Sequence, residues 1–318
     1  MTIEQIYKLS IELGIKADLR NKEDIDRVLS DAKKEYQNLP KSEKEYFDKD
    51  KFFNPYSDTR IQIDKPNKKI KKVLTGIDIN TGEVLLADKI NADLIIMHHP
   101  IGKSLADGLE DVMQMQAGVL ESYGLPANIA EKLLEKRISE VTNSVKPINH
   151  YQTIDAAKIL NIGFINTHTV CDNLAVDFLK KHFEKEKIYN LKEALDSLLK
   201  IPEYREAKKM GFGPYLMVGD PKHRAGKIVI TEMTGGTEGS KEIYEKMANV
   251  GIGTTVAMHM SKENKEAAEK ANINVLVAGH ISSDSLGMNL FLDKLEQKGI
   301  KIIPCSGLIR VKRKNTKN

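Results

Sequence analysis

Three short stretches carry residues suited to metal chemistry: His98-His99-Pro100, His168-Thr169-Val170-Cys171-Asp172 and His280-Ile281-Ser282-Ser283-Asp284. Neutral imidazoles and carboxylates are ordinary ligands of divalent cations, and a carboxylate can bridge two of them. In the second and third stretches the His and the acid stand four residues apart, so one helical turn would put them on one face. A single His-x-x-x-Asp is a weak signal, because Asp172, Asn173, Ser282 or Ser283 could simply cap a helix. Two such pairs together with a His-His-Pro make a stronger case for a metal site. Pro100 biases His99 towards extended backbone, where neighbouring side chains point in opposite directions. The two imidazoles are therefore expected to serve two ions, or one to bind while the other orients a neighbour. Two divalent ions would bring more positive charge than Asp172 and Asp284 return. That deficit favours a hydroxide or an anionic, phosphate-bearing substrate. Cys171 reads as a small buried thiol rather than a ligand.

Each of these histidines follows a short apolar run, at 94–97, 163–165 and 275–278, and a fourth run at 254–257 leads to His259. With further runs at 73–77 and 227–230, strands alternate with helical stretches at 109–123, 129–139 and 191–200. This alternation predicts an α/β fold with at least partly parallel sheets, whose ligands bind beyond the carboxyl ends of the strands. A weak internal echo runs through 89–98, 159–168, 251–259 and 270–280, and leaves a duplication open. Asp78, after the first strand, either orients a metal-bound His or caps the turn at Gly82. His259 either supports the metal ligands from behind, faces substrate or is a packed strand-end residue, while His150, His182 and His223 are expected at the surface. The stretch from Thr234 to Ser240, before a helix expected near Ser240, could cradle phosphate on its backbone N–H groups. Its spacing is neither GxGxxG nor a Walker loop, so a turn is the simpler reading.

Residues 1–66 read as a helical arm. Thr2 and Gln5 suit a capping box, and Gly14 is a natural stop for the first helix. Ile25, Val28, Leu29, Ala32 and Tyr36 define a second helix that ends before Pro40. The polar 54–67 stretch marks the end of the arm, which is expected to pack or to form an interface and to carry no chemistry. The remainder divides into a first lobe (67–181), a helical insertion or linker (182–226) and a second lobe (227–318). The 318 residues balance 49 Lys+Arg against 45 Asp+Glu, too mild a charge to indicate a nucleic-acid partner. Two cysteines provide no disulfide framework, which suits a reducing cytosol, and no apolar run approaches the ~18 residues of a membrane span. A cytoplasmic protein is expected. The basic run from Arg310 to Lys314 reads as a frayed, solvated end.

The order of the motifs resembles the Nif-three-like family, also called GTP cyclohydrolase type 2 homologs or dinuclear metal centre proteins. The resemblance rests on Asp93-Leu-Ile-Ile-Met-His-His-Pro-Ile101, His168-Thr-x-x-Asp172 and Gly279-His280-x-x-x-Asp284, and extends from about Val73 to Val311. It implies an α/β fold of two similar, intertwined lobes with mixed β-sheets, here preceded by the N-terminal helical arm. It implies two divalent ions per subunit (zinc, iron or manganese) in the cleft, held by His98, His99, Asp172, His280 and Asp284. His168, at or beside the ions, is the catalytic candidate, and Gly235-Gly236 matches the glycine-rich turn that opens the second lobe. The resemblance also implies a ring-shaped homohexamer. The family's last acid is usually Glu, so the shorter Asp284 is expected to reach one metal rather than bridge two. His259 stands where short members carry a Gly-Glu pair, and neither the arm nor 182–209 belongs to the short form. The implied activity is metal-dependent hydrolysis of a nucleotide or other phosphorylated small molecule, such as ring opening of GTP with loss of formate. The alternatives are a non-catalytic metal-binding scaffold, a metal carrier or a regulatory protein, including one that binds nucleotides at Gly235–Gly239.

Overall fold

A computed structural model describes residues 1–313. Helices α1 (Ile3–Ala17) and α2 (Lys22–Asn38) precede strand β1 (Arg60–Ile63). Then come β2 (Lys72–Gly76), α3 (Thr81–Lys89), β3 (Leu94–Met97) and five helices: α4 (Lys103–Ala106), α5 (Gly108–Met113), α6 (Met115–Ser122), α7 (Ala127–Val145) and α8 (Gln152–Ile159). Strand β4 (Gly163–Asn166) leads into α9 (Thr169–Lys185), followed by α10 (Leu191–Leu198) and α11 (Pro202–Lys209). The chain continues through β5 (Tyr215–Val218), β6 (Lys227–Ile230), α12 (Ile243–Asn249), β7 (Ile252–Ala257), α13 (Lys262–Lys270), β8 (Asn274–Val277), α14 (His280–Gln297) and β9 (Lys301–Pro304).

These strands form two mixed sheets, ordered β1-β4-β3-β2-β9 and β5-β8-β7-β6. In each, the inner strands are parallel and the edge strand β1 or β5 is antiparallel. The repetition extends to register. A bulge falls between Ile61 and Ile63 on β1, and another between Leu216 and Val218 at the same place on β5. The two lobes therefore share one plan, which the sequence echo had only suggested. They also interlock, because β9 leaves α14 and pairs with β2 of the first sheet.

The inner strands are buried on both faces, which explains their unbroken apolar runs. Val73, Ile96 and Ile165 pack towards α9, α14 and α1, while Leu74, Ile95 and Phe164 pack towards α3 and α8. In the second sheet Val256 and Leu276 face α9, α10 and α14, and Val229 and Val275 face α6, α7 and α12. Helices α9 and α14 thus form a layer shared by both sheets. Their close approach depends on Gly287, where a Cβ would lie 2.1 Å from the Cys171 carbonyl oxygen.

The arm is helical as expected, and its Thr2/Gln5 capping box forms. Gly14 does not stop α1, which runs on to Ala17. A Cβ there would lie 2.8 Å from Val170 Cγ1, so this glycine permits α1 to pack on α9. The turn-rich stretch holds β1, so the arm also supplies a strand to the first sheet. At the other end, Arg310 pairs with Asp293 and Glu296, and Arg313 with the buried Glu203. Residues 310–313 are therefore anchored rather than frayed; Lys314 lies outside the described residues.

Candidate metal centre

The carboxyl ends of both sheets meet the amino ends of α9 and α14. His98 and His99 follow β3, His168 is the N-cap of α9, and Asp172 lies in the first turn of that helix. On the second lobe, Gly279 turns the chain from β8 into α14 with φ of 103°, a conformation that favours glycine. His280 and Asp284 follow on that helix. Because Gly287 and Cys171 bring the two helices together, Asp172 and Asp284 converge on one ring, that of His98. Its Nε2 lies 3.3 Å from Asp172 Oδ1 and 3.5 Å from Asp284 Oδ1.

Hydrogen bonds fix which ring nitrogens are free. His98 Nδ1 lies 3.3 Å from the Thr167 carbonyl oxygen, which can only accept, so the proton sits on Nδ1. His99 Nδ1 donates to Asp78 at 2.7 Å, and His168 Nδ1 donates to Asp58 at 2.7 Å. Each ring then turns Nε2 inward. His99 Nε2 lies 3.3 Å from Asp284 Oδ2 and 3.3 Å from His280 Nε2, while His168 Nε2 lies 3.8 Å from Asp172 Oδ2. His280 Nε2 lies 3.6 Å from Asp284 Oδ2.

A lone pair facing two carboxylates in a buried space is unfavourable unless a cation lies between them. His98 Nε2, Asp172 Oδ1 and both Asp284 oxygens are buried and have no hydrogen-bond partner. Each such orphan costs about 1–3 kcal/mol. Without a metal, protons must supply the positive charge. Burial alone would lower the pKa of His98, but Asp284 and Asp172 outweigh it and raise the pKa well above the usual imidazole value. His99 is likewise lifted to about 9 against its burial by Asp284 and Asp78. Burial would raise Asp284, yet His98, His99 and His280 hold it far below the usual carboxylate range. For His280 burial prevails, and its pKa falls. The donor set fits a divalent ion, which would satisfy the orphaned atoms at once. Two groups could hold a metal ion, His98–His168–Asp172 and His98–His99–Asp284, the ligand atoms of each lying within 4.8 Å of one another.

The structure gathers His98, His99, His168, Asp172, His280 and Asp284 in one place. The expected separation of His98 and His99 does not occur. The backbone bends at both residues after β3 ends, so both Nε2 atoms reach Asp284. Asp284 faces His98 with one oxygen and His99 and His280 with the other. Asp78 orients His99, one of its two expected roles. Cys171 is a buried thiol whose pKa burial pushes up.

Asp58 escaped the sequence reading, because a lone Asp in a turn-rich stretch bears no spacing relation to the motifs it serves. His259 stands at the edge of the centre, its ring 4.9 Å from that of His280 and its Nδ1 3.1 Å from Glu238 Oε1. His182 is half-buried against Ser197 and His150 is half-buried as well, so of the three expected surface histidines only His223 is exposed. The Gly235-Gly236 segment is a turn fastened by Gln116, which donates to the Gly235 and Thr237 carbonyls, and Gly239 N–H is taken by Glu232. The helix after it begins at Ile243, later than expected.

Fold and site together define a two-lobed α/β protein with a buried His/Asp cluster suited to metal. The Duf34/NIF3 (NGG1p interacting factor 3) family model matches residues 44–117, a span that includes Asp58, His98 and His99. A NIF3 superfamily protein from Sphaerobacter thermophilus is similar at a TM-score of 0.70 and 26% identity, covering 79% of this chain and 92% of that one. Reduced HcgD from Methanocaldococcus jannaschii shares the fold at a TM-score of 0.51 and 16% identity, with 78% and 88% covered. No curated protein matches the sequence. The chain is thus similar in sequence and in fold to NIF3 superfamily proteins. Among the described residues no helix is long and apolar enough to cross a membrane.

Proposed function

We propose that this protein is a divalent-metal-dependent hydrolase with a two-ion centre, acting on a nucleotide or another small phosphorylated molecule. The observation that carries this reading is the set of buried, partnerless atoms on His98, Asp172 and Asp284. His98, His168 and Asp172 would hold one ion, and His99, His280 and Asp284 the other. His168 is here assigned as a ligand, because Asp58 leaves its Nε2 free towards Asp172. When bound, a pair of divalent ions supplies Lewis acidity and lowers the pKa of a water molecule to near neutrality.

Accessibility favours catalysis over a closed structural or storage site. The His99 and His280 side chains are 23% and 41% exposed, while Asp284 beneath them is fully buried. The centre is thus open on one side, as catalytic metal sites are. On that side His259, held by Glu238, is the residue we assign to contact substrate. Zinc, iron and manganese all suit these ligands. The reading carries with it a homohexameric assembly and a cytoplasmic setting.

The test begins with metal analysis of untagged protein purified without chelators, which should give two ions per chain. The loaded protein is then incubated with GTP and related nucleotides, with and without EDTA. Metal-dependent turnover is expected. Fewer than one ion per chain would remove the two-ion centre, and full occupancy without turnover of any nucleotide would favour the carrier or scaffold alternative.

A further inference from the structure

Asp58 lies in the turn of the arm that leads into β1, and it is fully buried. Its Oδ2 accepts from His168 Nδ1 at 2.7 Å and from Thr169 Oγ1 at 2.6 Å. An ionised carboxylate has no proton to give, so the ring must carry its own on Nδ1. Nε2 then keeps its lone pair on the side of His98 and Asp172. Asp78 does the same for His99, but from different ground. The Asp78 side chain is 53% exposed and follows β2 within the first lobe.

The turn that carries Asp58 is fastened to the arm at several points. Asn54 Nδ2 donates to Tyr7 Oη and to the Tyr56 and Thr59 carbonyls, each at 2.9 Å. Tyr56 donates to Asp18 at 2.8 Å, and Asp18 in turn holds Arg20. Arg60 pairs with Asp48, and Tyr7 donates to Asp50 at 2.9 Å. Movement of the arm would therefore displace the carboxylate that sets the His168 ring.

We propose that Asp58 is a positioning residue that fixes His168 as its Nδ1–H tautomer, so that occupancy of the His98–His168–Asp172 ion depends on the N-terminal arm. The ion on the His99–Asp284 side is held independently of the arm, through Asp78. This inference rests on the two-ion reading above, and its first test is separable from that reading. Long-range proton–nitrogen NMR on wild-type protein labelled at histidine reports the tautomer directly. A proton on Nδ1 of His168 is expected, as the contact with Asp58 requires; a bare Nδ1 with the proton on Nε2 alone would overturn the proposal even if metals bind.

The second test titrates zinc into Asp58→Asn and Asp78→Asn. Losing a carboxylate behind a ligating histidine typically weakens metal binding about 10–100-fold. Asp58→Asn should lose that much affinity at one ion and keep the other, and Asp78→Asn should show the opposite pattern by competition between the sites. Wild-type affinity at both ions in Asp58→Asn, or equal loss at both, would overturn the assignment. Should Asp58→Asn not fold, Tyr56→Phe cuts the link to Asp18 and leaves the carboxylate in place. A measurable weakening of the same ion supports coupling to the arm, and unchanged binding refutes it. Failure of the wild type to bind any metal would sink both the function above and the ion assignment, while the NMR result would still decide the role of Asp58 in fixing the ring.

Discussion

The two lobes share a plan down to the bulge in the edge strand, yet they furnish the centre unequally. Register makes Met97 the counterpart of Ala257, and Asn166 that of Val277. His99 and His259 are then equivalent, each two residues beyond its strand with Nδ1 held by a carboxylate, Asp78 or Glu238. Only His99 belongs to a candidate ligand group. The two His-x-x-x-Asp motifs look like repeats but are not. His168 matches Gly279, the N-cap of α14, and Thr169 matches His280; Asp172 matches Ser283, and Asn173 matches Asp284. A shift of one residue turns a helical side chain by about 100°. The positions equivalent to the two acids carry structural hydrogen bonds instead, Asn173 accepting from Thr234 and Ser283 pairing with Tyr204. One plan thus supplies the scaffold twice, whereas the centre is built once, across the joint.

The strongest way to break this comparison is at Asp284, among the described residues the only carboxylate of the second lobe in a candidate ligand group. Asp284→Asn should drop metal content from two ions to about one per chain by elemental analysis; retention of two would show that the second lobe is dispensable. Next is the joint itself. Gly287→Ala drives a methyl into the Cys171 carbonyl and should cost about 1–3 kcal/mol by overpacking, read in chemical denaturation. Gly14→Ala, which strains only the contact between arm and α9, should leave the position of Asp284 and its metal affinity unchanged.

A smaller effect comes from pH. In the metal-free protein His99 is raised to about 9, above the ~6.5 of an unfolded imidazole. Its contribution to stability is present below about pH 6.5 and is lost as pH rises through about 9. Melting temperatures in EDTA should decline across that window, and zinc should suppress the decline because the ion replaces the protons. A flat metal-free profile would contradict the charge arrangement. The mildest change is His259→Asn. If the His99 counterpart stands outside the metal groups, both ions should remain bound while substrate binding weakens, seen as a higher KM with unchanged metal stoichiometry.

Much of this could be read from residue order. Apolar runs 94–97 and 275–278, alternating with helical stretches, announced strands of an α/β fold, and the structure buries them on both faces. Histidines at their ends pointed to the site, since chemistry in such folds collects there. Local spacing also revealed the capping box at Thr2 and the end of α2 before Pro40. Gly14 was misread because its value lies in contact with Val170, which is remote in sequence. Asp58 was missed for the same reason: its partner is His168, and no local pattern relates them.

The sequence by itself determined which residues are of a type that could ligate metal and which strands they follow, since ligand type and hydrophobic period are properties of short segments. Only the tertiary structure decided that the two helices approach closely enough to place two acids on one imidazole. It also decided which ring nitrogens remain free and that the arm reaches into the centre. Those outcomes depend on distances between segments far apart in the chain, set by packing at Gly287 and Gly14 and by buried hydrogen bonds that no local spacing encodes.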